Sequence, residues 1–201
     1  MHPDIEKKII EKIIARRDFT KSFSDIVNNF DTMFSDFTFD DNSIPIQDYF
    51  GEGFGRANAT KKLLINGHVK KDWLRDYKTK KNKSKTDFKG LYVFLHGNTP
   101  FYVGISKGVI GRVNQHVKGH NHNTSNLAYK IALKKYEIEI GKKYMGGRKE
   151  LNFKTEVKPI KDFLLKQKVA WLNIDNDEEL FLFEIYCSMK LKTTLNDFRT
   201  H

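Results

Sequence analysis

The sequence predicts an α/β (α+β) fold: a small mixed β-sheet led by one hairpin, flanked by helices and preceded by a helical N-terminal extension. Three observations carry that expectation. Two runs rich in aromatic and β-branched residues, Gly90 to Leu95 and Phe101 to Ser106, flank a break running from His96 to Pro100, the pattern of a hairpin with a longer loop. Val109, Val113 and Val117 then recur every four residues, a helical period that sets Arg112 and His116 one turn apart on a neighbouring face. Apolar stripes at helical spacing precede the hairpin and close the chain.

The first stripe is Ile5, Ile9, Ile10, Ile13 and Ile14, and the second is Phe19, Phe23, Ile26, Val27, Phe30, Phe34 and Phe37. Each reads as an amphipathic helix packed on a core. No Lys or Arg occurs between Lys21 and Arg56, so this acidic region should face away from a polyanion. Gly51 to Arg56 lacks the Gly-Lys-Ser/Thr ending of a phosphate-binding loop and reads as a flexible connection. From Lys61 to Lys89 there are eleven basic residues and three acidic ones. Val69 to Lys78 reads as a helix carrying Trp73 and Tyr77, and the lysine-rich run after it as the boundary between an extension (1–88) and the rest (89–201). Past the hairpin, Thr124 or Ser125 should cap a helix with Leu127, Ile131 and Leu133 inward and Lys130 and Lys134 in solvent. Residues 136–157 read as an insertion loop, Pro159 to Gln167 as a short helix and Val169 to Ile174 as a strand. Asp175-Asn176-Asp177 caps a last helix bearing Glu184 and Cys187.

A formal net charge of +11 and a pI near 9.5 point to a polyanionic partner, nucleic acid before membrane. Arg56, Lys61, Lys62, Lys70, Lys71, Arg75 and Lys78 are the candidate phosphate contacts. A single cysteine excludes an intramolecular disulfide and fits a reducing cytoplasm. No apolar run reaches the ~20 residues of a membrane span, and no signal-peptide core opens the chain.

Gly90-Leu91-Tyr92 followed by Tyr102-Val103-Gly104 resembles the signature pair of the GIY-YIG nuclease superfamily, with Leu91 and Val103 in place of its usual isoleucines. Ser106, Arg112 and His116 stand where that family carries its serine, its catalytic arginine and a histidine common in restriction-type members. Glu184, with Asn196 some dozen residues on, fits its late glutamate and asparagine. The resemblance spans roughly residues 89–198 and implies a catalytic set of Tyr92, Tyr102, Arg112, His116 and Glu184. Glu184 would hold one Mg²⁺ (or Mn²⁺), a hard ion that needs few protein carboxylates. Arg112 would meet phosphoryl charge, and Tyr92 the attacking water. With a free pKa of about 10, Tyr92 needs help as a base, and His116 is one source. Tyr102 would bind a phosphate oxygen or orient the water, Lys107 would add a phosphate contact, and Ser106 and Asn196 would support the site. A zinc cluster of His116, His120 and His122 is disfavoured for want of cysteine or a second histidine pair.

The expectation is an Mg²⁺-dependent endonuclease of restriction type on double-stranded DNA, acting as a homodimer so that both strands are cut. The alternatives are a structure-specific or repair-type nicking nuclease of the same superfamily, or a nucleic-acid-binding protein that has lost catalysis.

Overall fold

A computed structural model describes residues 3–14, 20–53, 55–78, 84–120, 126–147, 150–196 and 198. In chain order it holds helices α1 (Pro3–Ile14), α2 (Phe23–Asn28), α3 (Phe30–Asp36) and α4 (Phe39–Asn42), strand β1 (Ile44–Pro45), and helices α5 (Ile46–Phe50) and α6 (Arg56–Ile65). A 3₁₀ turn (Lys71–Trp73) leads to strands β2 (Arg75–Lys78), β3 (Ser84–Asp87), β4 (Gly90–His96) and β5 (Thr99–Ser106). Helices α7 (Val109–Lys118) and α8 (Asn126–Ile140), a π-helical turn (Phe153–Val157), helix α9 (Lys158–Leu165), strand β6 (Lys168–Asn173) and helix α10 (Asp177–Lys190) complete it.

The main sheet has the order β1-β6-β4-β5, and β2 and β3 form a separate ribbon. Because β4 lies centrally, both of its faces must be covered. Tyr92 and Phe94 enter a core with α5 to α9, whereas Leu91, Val93 and Leu95 enter a second core with α2, α3 and α10. The result is three layers, helices on either side of a sheet. Ile44, Phe50, Ala59 and Leu63 share the first core with Tyr92 and Phe94, so the chain before residue 88 helps build the layer behind the hairpin.

The sheet is α/β in class but antiparallel in every pair, where a mixed one was expected. A parallel pair would need β6 beside β5; α7, α8 and α9 instead carry the chain past β4 to its far edge. The hairpin loop is also tighter than its sequence suggests. Leu95 pairs with Pro100 and His96 with Thr99, while Phe94 pairs with Tyr102, so Phe101 forms a β-bulge and Gly97-Asn98 alone turns the chain.

Four further expectations are corrected. The stripe of α1 does not pack on the core: Ile5, Ile9 and Ile10 are 53%, 41% and 49% exposed. The phenylalanine stripe is two helices meeting at Asn29; Ile26, Phe30 and Phe37 are buried, Phe23 is exposed, and Phe19 lies outside the described residues. Val69 to Lys78 is not a helix, because Arg75 to Lys78 alternates along a ladder with Ser84 to Asp87, and Trp73 turns onto Phe88 at 5.5 Å. Residues 79–83 of the lysine-rich run lie outside the described residues. The supposed insertion loop shrinks because α8 continues to Ile140, held by Lys134–Glu137 and Lys135–Glu139 ion pairs rather than by an apolar stripe, and because Phe153–Val157 is helical. Among the described residues no helix is long and apolar enough to cross a membrane.

Candidate active site

Two glycines explain how the hairpin can carry its tyrosines. A Cβ on Gly90 would overlap the Leu172 carbonyl of β6, so only glycine lets β6 pair closely there. A Cβ on Gly104 would lie 2.5 Å from the Tyr92 phenol, whose ring crosses over that position. Tyr92 and Gly104 face each other in register, so the bare backbone of β5 makes the slot for the ring.

In that slot Tyr92 is 1% exposed and its hydroxyl meets His116 Nε2 at 2.8 Å. His116 is itself 0% exposed on the inner face of α7. The Arg112 guanidinium and the Tyr102 phenol lie near enough to act electrostatically on the Tyr92 hydroxyl, and the Tyr92 and Tyr102 rings stand 6.2 Å apart. Burial raises the Tyr92 pKa well above its usual value, with the Tyr102 phenol adding to the rise and the Arg112 guanidinium opposing it. Burial likewise raises Tyr102, helped by the charge of Glu184 and opposed by Arg112. His116 moves the other way. Desolvation holds its pKa well below 6.5, and the charges of Arg112 and Lys161 push in the same direction, so the imidazole is neutral at pH 7.

Glu184 comes from α10, which starts at an Asn176 cap whose side chain accepts the Glu179 N–H at 2.8 Å. Its carboxylate is half-buried and makes no hydrogen bond or salt bridge among the described residues. Desolvation lifts its pKa to about 7, only partly offset by Lys130. Lys130 was expected in solvent; instead its Nζ reaches back to the Leu195 carbonyl at 3.1 Å. A desolvated carboxylate near enough to act on the Tyr102 phenol suits a hard divalent cation that brings its own waters. Among the described residues no three His, Cys, Asp or Glu side chains gather to form a cage, and His122 lies outside them.

Asn196 touches none of these groups and caps an edge. β5 is the last strand of the sheet, so Val103 has backbone groups facing outward. The Asn196 amide accepts the Val103 N–H at 2.9 Å and donates to its carbonyl at 2.7 Å, replacing a missing strand. Ser106 accepts the Gly108 N–H at 3.0 Å in the turn before α7. Lys107 is exposed beside it. Arg112 donates to the Gln115 side-chain oxygen at 3.3 Å.

Two buried charges that the sequence reading missed fix α7. Asp87, 1% exposed, accepts the backbone N–H groups of Phe88, Ile110 and Gly111 at 2.8–2.9 Å and pairs with Arg56 at 2.7 Å. It closes the N-terminus of the helix two residues before Arg112, where a negative charge is favoured. At the other end Lys161, 3% exposed, donates to the Gly119 carbonyl. Desolvation lowers its pKa to about 8. A signal for Lys161 existed, since it stands on the apolar stripe Val157, Ile160 and Leu164. No local pattern marks Asp87, whose partners lie at least 23 positions away in α7.

Of the other basic candidates, Lys62 is bound to the Asp48 carbonyl at 2.7 Å, and Arg75 leans on the Leu74 carbonyl at 3.1 Å and on Asp175 at 3.7 Å. Lys70 lies over the Trp73 ring and Lys71 begins the 3₁₀ turn. Lys61 is exposed on α6, and the Lys78 side chain lies outside the description.

With this geometry in hand, the comparison with known families is specific: residues 88–163 match the family model of the GIY-YIG catalytic domain. The match covers 76 of the 201 residues. It contains Tyr92, Tyr102, Ser106, Arg112 and His116, and it is similar to the catalytic domain of nucleases that generally depend on a divalent metal. Glu184 and Asn196 lie beyond the matched GIY-YIG segment, and Asp87 stands one residue before it. No curated protein and no solved structure matches the chain.

Proposed function

We propose that the protein is a divalent-metal-dependent endonuclease of restriction type that hydrolyses phosphodiester bonds in double-stranded DNA. The observation that carries this reading is the buried Tyr92–His116 pair at 2.8 Å, flanked by Arg112, with the half-buried Glu184 carboxylate, which makes no hydrogen bond or salt bridge among the described residues, near enough to act on the Tyr102 phenol. Glu184 would hold Mg²⁺ or Mn²⁺, which when bound supplies Lewis acidity toward the phosphate.

The residues of the chain do the rest. Arg112, permanently charged and forked, binds non-bridging phosphoryl oxygens and meets the charge that grows on them. Tyr92 takes a proton from the attacking water. Because its pKa is raised, a free phenolate is disfavoured, and neutral His116 is placed to accept the phenolic proton as the water gives up its own. Tyr102 orients the water or a phosphate oxygen. Asn196, Asp87 and Lys161 act at a distance by holding β5 and α7.

Cutting both strands takes two such sites, which is the reason to expect a homodimer on DNA. All of the residues proposed for the site come from one chain, and this favours the nicking alternative as the second reading. The test is digestion of large mixed-sequence DNA and of supercoiled plasmid with Mg²⁺. Discrete fragments that share end sequences support the restriction reading, nicked circles support the alternative, and no metal-dependent cleavage overturns both.

A further inference from the structure

The GIY-YIG hairpin ends in a cavity of about 380 Å³ lined by Arg112, Ser106, Lys107, Arg56 and Lys85. A second, of about 560 Å³, shares Arg56 and Lys85 and continues along α6 to Lys61 and Leu74. A third, of about 750 Å³, shares Leu74 and Thr86 with the second and ends at Lys70 and Lys71. Together they form one trough, from Arg112 over the face of the β2–β3 ribbon to the start of the 3₁₀ turn. Among the described residues no Asp or Glu lines the first two parts. Asp76 in the third accepts the Thr86 hydroxyl at 2.5 Å.

The basic groups around the trough differ in kind. Arg56 is committed to Asp87 and the Thr86 carbonyl. It forms a wall that fixes the ribbon against α7. Lys61, Lys85 and Lys107 make no hydrogen bond or salt bridge among the described residues. Three uncompensated ammonium groups facing one groove repel one another, and a polyanion laid along the groove relieves that repulsion. Lys62 and Arg75, equally basic by sequence, are engaged elsewhere.

We propose that this trough is the track for the sugar–phosphate backbone of duplex DNA flanking the phosphate held by Arg112, with Lys61 and Lys85 as its phosphate contacts. The proposal rests on the nuclease reading above and adds to it the path of the strand, along the β2–β3 ribbon rather than along α10. It also assigns Lys85, whereas Lys62 and Arg75 drop out of the interface.

The test is fluorescence anisotropy with a labelled mixed-sequence DNA duplex in chelator-treated buffer over a salt series. Lys61→Ala/Lys85→Ala should weaken binding by about tenfold or more and make the slope of log K against log salt shallower by about two, one for each phosphate that is no longer neutralised. Lys62→Ala/Arg75→Ala removes the same charge and should leave the slope within experimental error of wild type. All four side chains lie at the surface, and unchanged melting curves verify the fold. Equal slopes for the two double variants overturn the trough while leaving the nuclease reading intact. A wild-type protein that binds no duplex overturns both.

Discussion

Helix α7 brings Arg112 and His116 to the site with both of its ends closed by buried charge, Asp87 at one and Lys161 at the other. Helix α10 brings Glu184 with no hydrogen bond or salt bridge among the described residues, at a pKa near 7. The first helix is preorganised by the protein alone. The second carries a carboxylate whose ionised form is uncomfortable until a cation arrives. This difference separates two kinds of defect: on α10, changes should alter metal dependence and pH behaviour, and on α7 they should alter turnover without touching either.

The largest expected effect is at Glu184. Glu184→Gln should lower cleavage by about a thousandfold or more, while duplex binding in chelator stays near wild type. The same change should stabilise the metal-free protein at alkaline pH. A carboxyl whose folded pKa is raised from 4.5 to about 7 favours the fold while protonated, and that contribution is lost as pH rises through 7. Wild-type Tm in chelator should therefore fall across that range relative to Glu184→Gln, and Mg²⁺ should restore it in wild type only. Parallel melting curves with and without metal would remove Glu184 as the ligand.

Arg112→Lys keeps the charge but loses the fork, and turnover should drop by about 10²–10³-fold with metal dependence unchanged. A cleavage titration with Mg²⁺ reads both quantities. His116→Phe, filling the same space without a proton acceptor, should reduce turnover by about a hundredfold. If it cuts at the wild-type rate, Tyr92 hands its proton elsewhere.

Asp87→Asn is the sharpest probe of preorganisation. An amide cannot accept from Gly111 N–H and Arg56 where it presents its own NH₂, so the start of α7 loosens. Turnover should fall by about 10–100-fold with KM for DNA nearly constant. A change confined to KM would mean that Asp87 serves the Arg56 wall of the trough instead. Gly104→Ala should lower stability by about 1–3 kcal/mol, measured by urea unfolding, because the new methyl group meets the Tyr92 ring.

Much of this site is legible in the chain itself. The tyrosines announce themselves through strand composition and flanking glycines, and Arg112 and His116 through the valine period of one short helix, since these are local repeats that backbone geometry enforces. Glu184 is legible only as a carboxylate among apolar neighbours on a helix. That it has no hydrogen bond or salt bridge among the described residues, and that the charge of Lys130 acts on it, are set by tertiary structure. The failures have one cause as well. Val69 to Lys78 carries no periodicity strong enough to choose helix or strand, and pairing with β3 chose strand. The C-terminal half of α8 is stabilised by ion pairs, which leave no hydrophobic period to read.

By itself, then, the chain determined the class of fold, the hairpin with its glycines and the short helix behind it. Each of these depends on residues within a few positions of one another. Tertiary structure decided which side chains have partners. It took Arg56 out of the pool of loose cations by pairing it with Asp87, gave Asn196 the edge of β5 to complete, and left Lys61, Lys85 and Lys107 around one trough without a hydrogen bond or salt bridge among the described residues. Those outcomes depend on contacts between residues tens of positions apart. Burial and partner geometry set the energy of a charge there, and neither is written in local sequence.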